Sequence, residues 1–137
     1  MSESPVFDLA QFPIHLGLGA TVLRQPAFSG MQWYEEYGAR TAADGAEGRL
    51  VSIHTFSEPW DAWEMHPHGE ELVVCLAGRI TLHQEIDGKV VHVNLDPYQA
   101  VVNPKGVWHT ADVDASATAL FITAGLGTEH RARTPAA

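Results

Sequence analysis

The sequence predicts an all-β domain, a sandwich or barrel of short antiparallel strands preceded by an N-terminal arm. Three observations carry that expectation. Twelve Gly and eight Pro in 137 residues punctuate the chain with turns, and many turns imply many short strands. From Ala62 onward, apolar runs of strand length recur at short intervals and leave almost no segment for a helix. Between the alternating runs ITLHQEI and KVVHVNL, Asp87-Gly88 supplies the two positive φ angles of a type I′ hairpin.

The elements follow in order. Pro5, Pro13, Gly17 and Gly19 interrupt any period over residues 1–19, which reads as an arm suited to packing on a partner subunit. Residues 20–126 then form one barrel domain, the usual size for a single core. Ala20 to Gln25 and Met31 to Tyr37 are short enough to be strands, TAADGAEG over 41–48 is an exposed turn, and RLVSIHTF resumes a strand. Further strands are expected over Glu70 to Leu76, Arg79 to Ile86, Lys89 to Leu95, Val107 to Val113 and Ala117 to Ala124. The tail, 127–137, is expected to fray.

Charge and composition exclude several classes. A formal net charge of -9, with basic residues scattered, is the wrong footprint for a nucleic-acid partner. Cys75, the single cysteine, cannot form an intrachain disulfide and sits in an apolar run as a core residue. The first residues lack a basic cluster followed by an apolar stretch, and no run is long enough to span a bilayer, so a cytoplasmic protein with no membrane partner is expected.

The chemistry concentrates in WEMHPHGEELVVCLAG and NPKGVWHTADV. Glu64 and His66 stand two apart on an expected strand and leave the same face. Glu71 opens the next strand, so a turn over 67–70 brings its carboxylate back beside His66. Pro104 and Gly106 turn the chain into a strand where His109 points with Val107 and Ala111. Two imidazoles and a carboxylate converging in a barrel suit a divalent first-row ion and leave coordination positions open.

These segments resemble the cupin family over roughly residues 49–124. The family's first motif runs His-x-His, four residues, Glu, six residues, Gly, and His66, Glu71 and Gly78 fit it; Pro104, Gly106 and His109 fit the second, Pro-x-Gly-x-x-His. The spacing to Glu71 assigns His66, not His68, as the motif's second histidine and leaves His68 in the connecting turn. Glu64 occupies the position of the first histidine, Val113 stands where Asn often follows, and Tyr98-Gln99 replace a frequent Gly.

The resemblance implies a small jelly-roll β-barrel of two antiparallel sheets, with His66, Glu71 and His109 as metal ligands for Fe, Mn, Ni or Zn. Glu64 joins the site either as a further ligand or as a general base. It also implies a homodimer and a small-molecule substrate, with oxygenases and sugar or keto-acid isomerases as neighbours. Non-catalytic binding or sensing, or a metal-free structural dimer, are the alternatives. Trp60 is placed at the pocket mouth, whereas Trp63 and Trp108, adjacent to Glu64 and His109, are expected on the opposite face. His54, His83 and His92 read as isolated strand histidines, and His15 and His130 carry no expected role.

Overall fold

The computed structural model describes residues 4–134; the outermost residues of the expected arm and tail lie outside that range. Among the described residues, nine strands take up about half: β1 (Ile14–Leu16), β2 (Val22–Arg24), β3 (Arg49–Phe56), β4 (Ala62–Met65), β5 (Glu71–Ile86), β6 (Lys89–Leu95), β7 (Ala100–Asn103), β8 (His109–Thr123) and β9 (Glu129–Ala132). One layer runs β2-β1-β3-β8-β4-β9, and β5 pairs with β6, β7 and β8. All pairings are antiparallel.

Two long strands make this a jelly roll. The expected strands 70–76 and 79–86 are one strand, β5, bent by irregularities between Cys75 and Ala77 and between Gly78 and Ile80. Gly78 is required there: its φ is +72°, and a Cβ would stand 2.1 Å from the Ser116 carbonyl oxygen. The expected strands 107–113 and 117–124 likewise join as β8. Its far half pairs with both β3 and β5, and its start, His109, pairs with β4 as well as β5. Val73, Cys75, Ile80, Leu82, Ala111, Ala119 and Phe121 alternate inward from these two strands as the core. The Asp87-Gly88 hairpin forms as expected, with φ of 53° and 78° and Ile86 opposite Lys89.

Other segments differ from expectation. Met31 to Tyr37 is not a strand but the start of helix α1 (Met31–Thr41). Trp33 and Tyr37, four apart, stack on one helix face with ring centroids 5.4 Å apart, and Trp33 donates its indole N–H to the Pro26 carbonyl. The span expected as an exposed turn closes this helix and continues as a 3-10 segment, Ala42–Glu47. The arm is not separate from the barrel over its whole length: β1 pairs with β2 and β3, and buried His15 bonds Tyr37 and Asp44, tying the helical segment to the sheet. In the tail, 129–132 form β9 on β4. Among the described residues, no helix is long and apolar enough to cross a membrane.

Candidate metal centre

Strand register assembles the site. β8 begins with His109 opposite Glu64 of β4, and β9 sets His130 opposite Glu64 on its other side, so the three share one face of the sheet. His66 follows β4, its carbonyl accepting the Gly106 N–H at 2.9 Å from the turn that leads into β8. Glu71 opens β5 between Asn103 of β7 and Thr123 of β8, both in direct register. Those two side chains hold its carboxylate: Asn103 Nδ2 donates to Oε1 at 3.0 Å and Thr123 Oγ1 donates to Oε2 at 2.6 Å. Gln84 donates to Asn103 Oδ1 at 2.8 Å, which turns the Asn103 amide so that its NH2 faces Glu71.

The same logic fixes both imidazoles. Thr128 Oγ1 donates to the Gly125 carbonyl, so at 2.8 Å from His66 Nδ1 it accepts, and the proton of neutral His66 lies on Nδ1. His109 Nδ1 lies 3.3 Å from the Val107 carbonyl, which only accepts. Both Nε2 atoms are therefore left as acceptors in the neutral rings. Both are buried without a hydrogen-bond partner, and both face Glu71, His66 at 3.4 Å and His109 at 3.2 Å.

A lone pair opposite a buried carboxylate calls for a cation between them. A proton is the minimal one. Burial disfavours charge on Glu71, yet the imidazoles of His109 and His66 outweigh it and hold its carboxyl well below the usual carboxylate range. Burial likewise pushes His109 down, but Glu71 and then Glu64 push it further up, and the net shift is upward.

A metal ion fits the same gap. Ligand bonds of about 2.0–2.2 Å put neighbouring donors about 3–3.5 Å apart, the spacing of Glu71 from both Nε2 atoms. Donor atoms of Glu64, His66 and His109 also lie within 4.8 Å of one another. Glu64 is the outlying member, with Oε2 3.9 Å from His109 Nε2 and Oε1 3.3 Å from His130 Nε2.

No protein-family model and no curated protein matches the sequence. Solved structures do. An oxalate oxidase in complex with glycolate superposes with a TM-score of 0.52 at 14% identity, covering 59% of this chain and 45% of that one. Peruvianin-I, a cysteine peptidase from Thevetia peruviana latex, gives 0.52 at 17% identity over 63% and 57%. A hydroquinone 1,2-dioxygenase in complex with Cd2+ and 4-hydroxybenzonitrile gives 0.50 at 14% identity over 55% and 56%. The fold is that of the cupins. The chain spans about half the length of those three proteins. They are an oxidase, a peptidase and a dioxygenase, so the scaffold does not select a reaction.

Around the centre, the cupin barrel keeps some expectations and changes others. Helix α1 brings Tyr34 to the site, a residue the strand reading could not place. Its hydroxyl lies 3.3 Å from His54 Nε2, and burial together with Glu64 and Glu71 raises its pKa to about 12. Next to it a cleft of about 510 Å3 is lined by Met31, Gln32, Tyr34, Glu35, Thr128 and His130. Trp60 stands inside the barrel, its ring 6.4 Å from that of His109 and its buried Nε1 without a partner. His68 is exposed in its turn.

On the outside of the barrel, the Arg131 guanidinium lies 5.2 Å from the Trp63 ring and 4.7 Å from that of Trp108, and pairs with Glu85. His83 and His92 are not isolated from each other as expected. They are register partners with Nδ1 atoms 2.6 Å apart, and His83 Nε2 meets Asp112 at 2.6 Å. His130, Thr128, Asn103 and Thr123 were the members of the site that sequence reasoning missed. None belongs to a motif: strand register brings in His130, Asn103 and Thr123, and the turn before β9 brings in Thr128.

Proposed function

We propose that the chain is a metal-dependent enzyme of the oxygenase type acting on a small organic molecule. A divalent first-row ion is held by His66, Glu71 and His109, with Glu64 at its open side. The observation that supports this reading is the pair of buried, unpartnered Nε2 atoms facing one carboxylate. Two histidines and a carboxylate with open positions form the donor set that suits non-haem iron. When bound, the ion supplies a Lewis acid for a substrate oxygen and, as iron, a centre reactive toward dioxygen.

The chain's own residues do the rest. Thr128 and the Val107 carbonyl keep the protons of His66 and His109 on Nδ1, which leaves both Nε2 atoms free to donate their lone pairs. Asn103 and Thr123 orient Glu71 by donating to its two carboxylate oxygens. Glu64, part-exposed and steadied by His130 of the cleft lining, accepts a proton from a substrate hydroxyl. Tyr34 and Trp60 limit the access of water to the buried side.

Calorimetric titration of metal-free protein with Fe2+ under argon, or with Zn2+, tests this directly. One ion per chain is expected, with binding lost in His66→Ala and in His109→Ala. Retained stoichiometric binding in both variants removes these residues from the metal set. Dioxygen uptake by the iron-loaded protein with candidate hydroxyl compounds then separates an oxygenase from an isomerase or a sensor.

A further inference from the structure

The charge around the centre constrains what can bind there. Glu71 is ionised and lies within 3.4 Å of both imidazole nitrogens, and Glu64 stands 3.9 Å from one of them. Whether each carboxylate ligates the ion or only borders it, together they cancel its two positive charges. The positively chargeable groups that act on Glu71 are His66 and His109, which a metal would hold neutral.

Three arginines that could restore an attraction for anions are engaged elsewhere. Arg131 lies outside the barrel with Trp63, Trp108 and Glu85. Arg133 bonds Asp112 and the Trp60 and Ala111 carbonyls, and Arg40 bonds Gln25. Lys105, in the turn beside His66, is exposed. The cleft beside the site has no Lys or Arg in its lining but contains Glu35. Its one chargeable imidazole, His130, is already set against Glu64.

The barrel interior adds shape. Rings follow one another inward from the cleft: Tyr34 to Phe28, Phe28 to His54, and then Phe56, Phe121 and Trp60, with centroid separations of 5.0–6.3 Å. The unpartnered Trp60 Nε1 offers a donor to an oxygen atom. With Tyr34 and Met31 in the cleft's lining at the start of this row, the approach suits a flat, largely apolar body with a polar edge.

We infer that this site takes an uncharged hydroxylated ring compound, a phenol in the simplest case, and disfavours carboxylate anions. This rests on the metal-centre reading above. Glu64 is the base such a substrate needs, because a neutral hydroxyl brings a proton that must leave as its oxygen approaches the ion.

The test compares two ligands of the same outline on the Zn2+-loaded protein, which does not turn over dioxygen: 4-hydroxybenzamide, neutral, and 4-hydroxybenzoate, anionic. Zn2+ titration comes first; if no Zn2+ binds, the metal reading fails and this inference falls with it. With Zn2+ bound, calorimetry is expected to show the amide binding about tenfold or more tightly than the carboxylate. Glu64→Gln, which removes a nearby charge, narrows that preference by about tenfold, and Glu35→Gln, farther out, narrows it less. Tighter or equal binding of 4-hydroxybenzoate by the wild type, failure of both ligands to bind, or a preference that neither variant moves would overturn the inference.

Discussion

Replacing Thr123 by Val tests the electrostatic frame of the centre with almost no change in shape. Thr123 Oγ1 donates to Glu71 Oε2 at 2.6 Å, a short bond to an ionised and buried acceptor. Valine fills the same volume but offers no donor, and Oε2 is then left facing only His66 Nε2, 3.4 Å away. A hydrogen bond to a charged group contributes about 1.5–3 kcal/mol, so the metal-free variant should lose about 2 kcal/mol. With a urea slope of about 2 kcal/mol/M for a chain this size, the midpoint followed by tryptophan fluorescence should fall by about 1 M. Thr123→Ser, which keeps the hydroxyl, should recover most of it. In the metal-binding arm, affinity should fall about 10- to 100-fold, because the ligand's supporting bond is gone. A midpoint shift below about 0.2 M would mean that Glu71 is not the ionised acceptor described here. The pH dependence has a definite sign. A carboxyl held below its unfolded value of about 4.3 adds stability that is present above that value and lost as pH falls through the folded one. Metal-free wild type should therefore lose up to about 1.4 kcal/mol per pH unit from this group below pH 4.

Four further outcomes are expected. Gly78→Ala, which forces a Cβ to 2.1 Å from the Ser116 carbonyl at a φ of +72°, should cost at least about 2–3 kcal/mol and be visible as a lowered thermal midpoint; an unchanged melt would show that the β5 bend relaxes freely. Trp33→Ala should cost about 3–5 kcal/mol, since this buried ring seats α1 on the barrel, and a loss under 1 kcal/mol would mean that the helix is held by its other contacts. Metal binding should release a proton near neutral pH, because the raised His109 value favours a proton where the ion would sit; Zn2+ titrations in two buffers of different ionisation heat should then disagree, and equal heats refute the exchange. The stability that this His109 proton gives the metal-free protein is present below about pH 6.5 and lost as pH rises through the folded value. Absorbance titration should show Tyr34 and Tyr37 ionising near pH 12, with one late component missing in Tyr34→Phe.

The parts of the fold legible in the sequence were those set by local chemistry. Asp87-Gly88 determines its hairpin by itself, because both residues accept a positive φ, and the flanking runs alternate cleanly. Gly78 was legible as a motif position but not as a bend, so one long strand read as two. Met31 to Tyr37 was ambiguous by its nature: seven residues with apolar side chains at 31, 33, 34 and 37 fit either period. What decides for the helix is tertiary, the docking of Trp33 beneath Phe28 and Pro26 and of Tyr37 onto His15. β9 had no signal at all. Its four residues are all exposed, and the strand exists because β4 offers a free edge and because Arg131 and Arg133 pair with Glu85 and Asp112.

The candidate centre divides along the same line. His66, Glu71 and His109 could be named from spacing, since the residue types that bind metals are few and each sits at a junction between a strand and a turn. The groups that orient them could not, because Asn103, Thr123 and Thr128 are common residues whose role depends on what lies across the sheet. His130 shows this most clearly. Placing a carboxylate at Glu64, where the cupin motif that this sequence resembles has a histidine, adds a negative charge beside the ionised Glu71, and a site with two carboxylates needs a positively polarised partner for the second. β9 supplies it, with His130 Nε2 3.3 Å from Glu64 Oε1. The substitution within the motif and the imidazole outside it are thus two halves of one arrangement. His130→Leu should therefore leave Glu64 unsupported and loosen metal binding in the wild type, yet have little effect in a Glu64→Gln background, where the second charge is gone. Equal losses in both backgrounds would show that His130 acts on the centre by some route other than Glu64.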